Sequence, residues 1–93
     1  MNRFLILGFE YLDAIYYCLV RYKAQKEYSE YVVTVMNGEL ETLLHGNHVI
    51  KEKDGCLQLD SSENRMQNRL KEGVTKALGD LLGIPLQKVQ TSG

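Results

Sequence analysis

The chain has 93 residues, of which 44% are hydrophobic and 25% are charged, and its formal net charge at pH 7 is −1. This length suits one domain over residues 1–93, and the hydrophobic content excludes an intrinsically disordered chain. The 11 basic and 12 acidic residues are interspersed, which argues against a protein that binds nucleic acid through an extended basic surface.

Residues 2–14 fit two structures. The apolar run from Phe4 to Leu7 suits either a strand or a short buried helix. Glu10 and Asp13 interrupt the segment before it reaches the length of a secretory signal, and no later run approaches the length of a membrane span. We therefore expect a cytoplasmic protein with no membrane partner.

Residues 15–24 (IYYCLVRYKA) predict a strand, because β-branched and aromatic residues favour a pleated backbone. A helix is the alternative, since Ile15, Leu19 and Tyr22 lie three or four residues apart. Cys18 and Cys56 form no CxxC pair, and we interpret both as free thiols in a reducing compartment.

Three turn signals follow at intervals of about eight or nine residues, and they predict a β-meander over residues 15–60. They are Asn37-Gly38, Gly46-Asn47 and Asp54-Gly55. Asn-Gly and Asp-Gly favour two-residue hairpins, because both central residues of a type I′ turn need a positive φ. For the middle turn a three-residue loop over 45–47 is preferred, because a two-residue loop would bury Lys51 and Lys53.

This register places one set of apolar side chains on a common core face. A turn at Asn37-Gly38 pairs Val35 with Leu40, and a turn at Asp54-Gly55 pairs Glu52 with Leu57. The predicted core face comprises Tyr31, Val33, Val35, Leu40, Thr42, Leu44, Ile50, Leu57 and Leu59.

Residues 61–82 predict one long helix. Asp60 and Glu63 fit a capping box, and apolar residues then recur every three or four positions, at Met66, Leu70, Val74, Ala77, Leu78 and Leu81. Gly73 lets this helix approach the sheet closely, Gly83 and Pro85 end it, and residues 86–93 form a tail. The predicted fold class is α+β, an antiparallel β-meander of four to five strands packed on one long C-terminal helix.

The second face of this sheet is too apolar for exposure to water. It carries Tyr17, Leu19, Val32, Met36 and Leu43, where an antiparallel sheet with a solvated face would alternate polar residues outward. Three covers are conceivable: the chain's own residues 2–12, a second copy of the chain, or another protein or ligand. We predict a small non-enzymatic protein-interaction or regulatory module that binds through this face or through a sheet edge, with a homodimer as one form.

No group of side chains predicts catalysis or a cofactor. His45 and His48 flank the Gly46-Asn47 loop, but zinc needs three or four protein ligands. Ser61 and Ser62 lie where the predicted helix begins, which is a capping position. We expect no enzyme activity, no cofactor and no metal, and the sequence carries no indication of a small-molecule ligand.

The helix offers an alternative function. Arg65, Arg69 and Lys76 lie within one arc of its exposed side and would suit a nucleic-acid-binding protein. Glu63, Glu72 and Asp80 dilute this basic arc, so an ordinary solvated helix face is the simpler interpretation and nucleic acid is not the expected partner.

Overall fold

The computed structural model describes residues 3–44, 48–60 and 64–89. Within these ranges one six-stranded sheet, with its strands in chain order, packs against a long helix, which confirms the α+β class. Strands β1 to β5 are antiparallel and β6 runs parallel to β5. The elements are β1 Arg3–Tyr11, β2 Ala14–Ala24, β3 Ser29–Val35, α1 Gly38–Leu43, β4 His48–Lys53, β5 Cys56–Asp60, α2 Arg65–Leu82 and β6 Leu86–Val89.

The first two strands form a hairpin. Residues 3–11, which fitted either a strand or a helix, are β1, and the strand predicted over 15–24 lies within β2. Their turn is Leu12-Asp13, with both residues in the left-handed region at φ 49° and 62°. A positive φ is rare for leucine, which is why no turn signal is visible there in the sequence.

The hairpin predicted at Asn37-Gly38 is wrong. Asn37 has an extended backbone, and its Oδ1 accepts hydrogen bonds from the backbone N–H groups of Glu39 (3.1 Å) and Leu40 (3.2 Å). Asn37 therefore caps α1, because asparagine serves an N-cap as well as it serves a turn. β3 consequently pairs with β4 instead of with residues 39–44, and Tyr31 lies opposite Ile50.

Most of the predicted core face survives this change. Leu40 and Leu44 remain buried, because residues four apart share a face in a helix as they do in a strand. Thr42 is exposed, because positions two apart do not share a helix face. The buried core on the inner side of the sheet also contains Leu7, Phe9, Tyr11, Cys18, Val20, Tyr31, Val33, Val35, Ile50, Leu57, Leu70, Val74 and Leu78.

The later boundaries differ in part from the predictions. The Asp54-Gly55 turn is confirmed, with φ 54° and 78° and with Glu52 opposite Leu57, whereas the loop over 45–47 lies outside the described residues. α2 begins at Arg65 with Asn64 as its N-cap, so the predicted cap at Asp60 is wrong, because Asp60 ends β5. Glu63, its predicted capping-box partner, lies outside the described residues.

The C-terminal end of the helix follows the prediction, but the tail does not. Gly83 ends α2 in the left-handed conformation at φ 70°. Residues 86–89 of the predicted tail form β6, and Leu57 donates its backbone N–H to the Pro85 carbonyl at 2.9 Å. β6 thereby provides hydrogen-bond partners for backbone groups at the edge of β5. Short-range sequence patterns do not reveal this pairing.

α2 lies across the inner side of the sheet and reaches the edge at β1. A Cβ atom on Gly73 would lie only 2.8 Å from the carbonyl oxygen of Glu10, so the close approach expected at Gly73 is present. Gln67 is buried and donates from Nε2 to the Leu43 carbonyl at 3.0 Å, which ties α2 to α1. The helix therefore covers one side of the sheet only, and the opposite side is called the outer face below.

Candidate protein-interaction surface

The outer face carries a patch of large apolar side chains. Alternation along the strands directs every second residue away from α2. The outer patch consists of Phe4 and Ile6 from β1, Ile15, Tyr17 and Leu19 from β2, Val32 from β3, Met36 just after β3, and Val49 from β4. Six of these eight side chains are exposed, with Phe4 at 67% and Met36 at 62%.

The strand register makes the outer patch continuous. Ile6 lies opposite Leu19, and Leu19 lies opposite Thr34. In the next row Phe4, Arg21, Val32 and Val49 lie side by side across four strands. Neighbours in such rows have Cβ atoms about 4.5–5.5 Å apart, so Ile6 lies beside Leu19 and Val32 beside Val49, whereas Arg21 separates Phe4 from Val32.

Tyr17 extends the outer patch towards the edge of the sheet. It lies opposite Gly8, and a Cβ atom on Gly8 would lie 3.3 Å from the Tyr17 Cε1 atom. The aromatic ring therefore lies over the glycine, an arrangement in which the ring shields backbone that has no side chain. Tyr17 thereby covers the backbone of β1 at Gly8.

The five residues predicted for this face have different positions. Tyr17, Leu19 and Met36 lie on the outer face. Val32 lies there too, but it is only 8% exposed, because it sits on a central strand with neighbours on both sides. The placement of Leu43 is wrong: it belongs to α1, where it is half-buried against the inner core.

The predictions missed Phe4, Ile6 and Val49. The possibility that residues 2–12 cover this face is wrong, because residues 3–11 extend the sheet instead of lying over it. An uninterrupted apolar stretch is typical of a strand with apolar side chains on both faces, and FLIL in residues 4–7 carries that signal. The addition of β1 enlarges the uncovered surface.

Opposite charges lie at the two ends of the outer patch. Glu10 lies beside Ile15 at one end, next to Asp13 in the β1–β2 turn. At the other end Arg21 is followed by a row in which Lys23 and Lys51 flank Glu30. The two rows between these ends, which contain Ile6 and Tyr17, have no charged residue on β1, β2 or β3.

A groove of about 920 Å³ lies beside β1, where α2, the Leu12-Asp13 turn, and Ile15 and Tyr17 of the outer patch meet. Its helix wall is formed by Arg69, Glu72, Lys76 and Asp80, so both signs of charge alternate there. Arg65, Arg69 and Lys76, the predicted basic arc, are all exposed, but Glu72 shares their side of the helix at a spacing of three and four residues. This distribution leaves no concentrated positive charge for phosphates.

The described residues contain no group of three or more side chains that could hold a metal ion. His48 is half-buried in β4, whereas His45, Ser61 and Ser62 lie outside the described residues. Cys18 and Cys56 are free thiols, as expected, and burial raises the pKa of Cys18 to about 11. Reactive cysteines need a lowered pKa, so Cys18 is an inert core residue.

One hydroxyl group is held in its neutral form. Burial raises the pKa of Tyr31 above its usual range, and the hydrogen bond that Tyr31 donates to Glu52 at 2.8 Å raises it further. A hydroxyl that donates to a carboxylate and resists ionisation stabilises the structure, and it makes a poor nucleophile. No helix in the described ranges is long and apolar enough to cross a membrane.

Comparison with known proteins adds no relationship. No protein-family model, curated protein or solved structure matches the chain.

Proposed function

We propose that the chain is a non-enzymatic protein-interaction module that binds its partner through the outer patch. The observation that carries the proposal is the contiguous apolar surface on the side of the sheet opposite α2. Phe4, Ile6, Ile15, Tyr17 and Met36 are each more than half exposed there. Neighbouring strands hold them together, so a partner can cover them in one contact.

The energy available from such a contact supports the proposal. Full burial of a large apolar side chain is worth about 1.5–3 kcal/mol. Each of these five side chains is more than half exposed, so roughly half of that energy is still available from a contact. Their combined contribution is then roughly 5 kcal/mol before the cost of association. Because association itself costs about 4–15 kcal/mol, the partner has to bury apolar surface of its own as well for the complex to form.

Two methionines allow a direct test. Met36 lies in the outer patch and is 62% exposed, whereas Met66 lies on α2 and is 45% exposed. The chain is treated with dilute hydrogen peroxide, once purified at low concentration and once in an extract of the cells that express it, and both sulfoxides are quantified by mass spectrometry. A bound partner slows oxidation of Met36 several-fold and leaves Met66 unchanged.

Matched variants connect this protection with the outer patch. Tyr17→Lys places a charge in the patch and is expected to abolish the protection of Met36. Leu81→Lys places the same charge on an exposed apolar residue of α2 and is expected to preserve it. The proposal is refuted if the ratio of Met36 oxidation to Met66 oxidation is the same in the dilute purified chain and in the extract.

A further inference from the structure

Resting on the proposed function, we infer that the partner on the outer patch is a second copy of this chain, packed face to face with its strands running in the opposite direction. The charges at the two ends of the patch indicate this arrangement. Glu10 and Asp13 make one end acidic, whereas Arg21, Lys23 and Lys51 outnumber Glu30 at the other. A surface with both signs at opposite ends is complementary to its own reversed copy.

When two identical faces stack with their strands aligned, symmetry leaves two arrangements. The twofold axis of a face-to-face dimer lies in the plane of the interface, because the rotation must reverse the direction in which the outer face points. An axis along the strands would set Glu10 against Glu10 and Arg21 against Arg21 of the second copy. An axis across the strands instead sets the acidic end over the basic end, so only this arrangement avoids like-charge contacts.

The apolar rows also match under the axis across the strands. When the axis passes between the row of Tyr17 and the row of Leu19, each of these residues lies over the other one in the second copy. Glu10 then lies over Phe4 of the second copy and Ile15 lies over its Arg21, so Glu10 and Arg21 of the two copies are diagonal neighbours. Face-to-face sheets pack about 10 Å apart, a distance that side chains of this size fill from both sides.

The area agrees with a weak dimer. Four strands about 4.8 Å apart and eight residues at about 3.3 Å each give roughly 500 Å² of projected area per copy. Two copies together bury roughly 1,000 Å², which is below the roughly 1,200–2,000 Å² of standard interfaces and at the minimum for a biological contact. A dissociation constant in the micromolar range is therefore expected.

Pairing of two copies through the edge of β1 accounts less well for the surface. Tyr17 accepts a hydrogen bond from the Met36 N–H, so alternation directs the backbone groups of Ile6, Gly8 and Glu10 away from β2. The outward carbonyl of Glu10 already faces Gly73 of α2, which obstructs this part of the edge. Edge pairing would also leave the outer patch in water.

Sedimentation velocity over a range of concentrations tests the inference. The wild-type chain is expected to change from monomer to dimer in the micromolar range, and Tyr17→Lys is expected to weaken association at least tenfold. Leu81→Lys serves as the control and should leave association unchanged. Circular dichroism of each variant verifies that it is folded.

Charge reversal tests the orientation. Glu10→Lys and Arg21→Glu are each expected to weaken the dimer about tenfold, because each replaces attraction by repulsion in both symmetry-related contacts. The double variant Glu10→Lys, Arg21→Glu should restore association to within about threefold of wild type, the pattern of a coupled pair. Weakening without restoration refutes this orientation.

Two further outcomes overturn the inference. One is a chain that stays monomeric at millimolar concentration, and the other is a dimer that is insensitive to Tyr17→Lys. If the monomeric chain still has Met36 protected in the extract, a different protein covers the patch, and the proposed function stands without the homodimer. If Met36 is protected under no condition, both proposals fail.

Discussion

Replacement of Gly73 by alanine sets local propensity against tertiary packing. Alanine in the middle of a helix is favoured over glycine by about 0.8–1.0 kcal/mol, so propensity alone predicts a more stable protein. In the structure the added Cβ atom would lie 2.8 Å from the Glu10 carbonyl oxygen and 3.9 Å from Phe9 Cδ2. A relaxed contact between carbon and oxygen needs about 3.3–3.6 Å, so α2 and β1 must separate by roughly 0.5 Å.

This separation has a cost because neither side yields easily. The Glu10 carbonyl belongs to a strand that is hydrogen-bonded to β2, and α2 is anchored by Leu70 and Val74, which are fully buried. Overpacking of this kind costs about 1–3 kcal/mol. After the propensity gain is subtracted, Gly73→Ala is expected to lower the free energy of unfolding by about 1 kcal/mol, which corresponds to about 4–8 °C in Tm.

Urea denaturation followed by circular dichroism at 222 nm measures the difference. Asp80→Ala, at an exposed position of the same helix, is the control: it gains helix propensity without a close contact and should be stabilised by about 0.5 kcal/mol. If Gly73→Ala gains the full propensity difference, α2 and β1 do not approach as closely as described, and the reasoning fails.

Three further predictions concern buried polar groups. The Tyr11 hydroxyl is buried without a hydrogen-bond partner among the described residues, so Tyr11→Phe should preserve or raise the free energy of unfolding. Tyr31→Phe loses the hydrogen bond to Glu52 and should lower the free energy of unfolding by about 1.5 kcal/mol. Equal losses in urea denaturation would contradict this. Because the pKa of Cys18 rises from 9.0 to about 11 on folding, the unfolded chain releases the thiol proton first, and the protein should lose about 1 kcal/mol between pH 7 and pH 10. A Cys18→Ala variant should lack this part of the alkaline loss, and an unchanged loss would refute the assignment. Half-buried Cys56 should react with iodoacetamide in the folded protein, whereas fully buried Cys18 should react only in urea. Equal modification of the two thiols in the folded state would contradict the burial of Cys18.

Asn37 illustrates why a correct local signal led to a wrong hairpin. The side chain and flexibility of Asn-Gly suit a type I′ turn, and the same asparagine oxygen suits a helix N-cap. The choice between the two depends on the next segment of the chain. Leu40 and Leu44 reach the core from a helix as well as from a strand, and β4 provides the pairing partner for β3 that residues 39–44 would otherwise have supplied.

The sequence by itself determined most of the core-facing side chains of β3, β5 and α2 and two of the breaks between elements. Helix periodicity follows from backbone geometry, so Leu70 could be assigned to the interior without knowledge of its partners, whereas Val33 and Ile50 were assigned through strand alternation and an assumed pairing register. The same holds for Asp54-Gly55 and Gly83, whose positive φ values depend on local sterics.

Tertiary structure decided which segments lie beside one another. Three features depend on competition among backbone partners that are distant in the chain. They are the pairing of β3 with β4, the addition of residues 86–89 as a parallel edge strand, and the position of β1. The outer patch belongs to this category as well. Phe4, Leu19 and Val49 become one surface only through strand register, because pairing brings together side chains that are far apart in the chain.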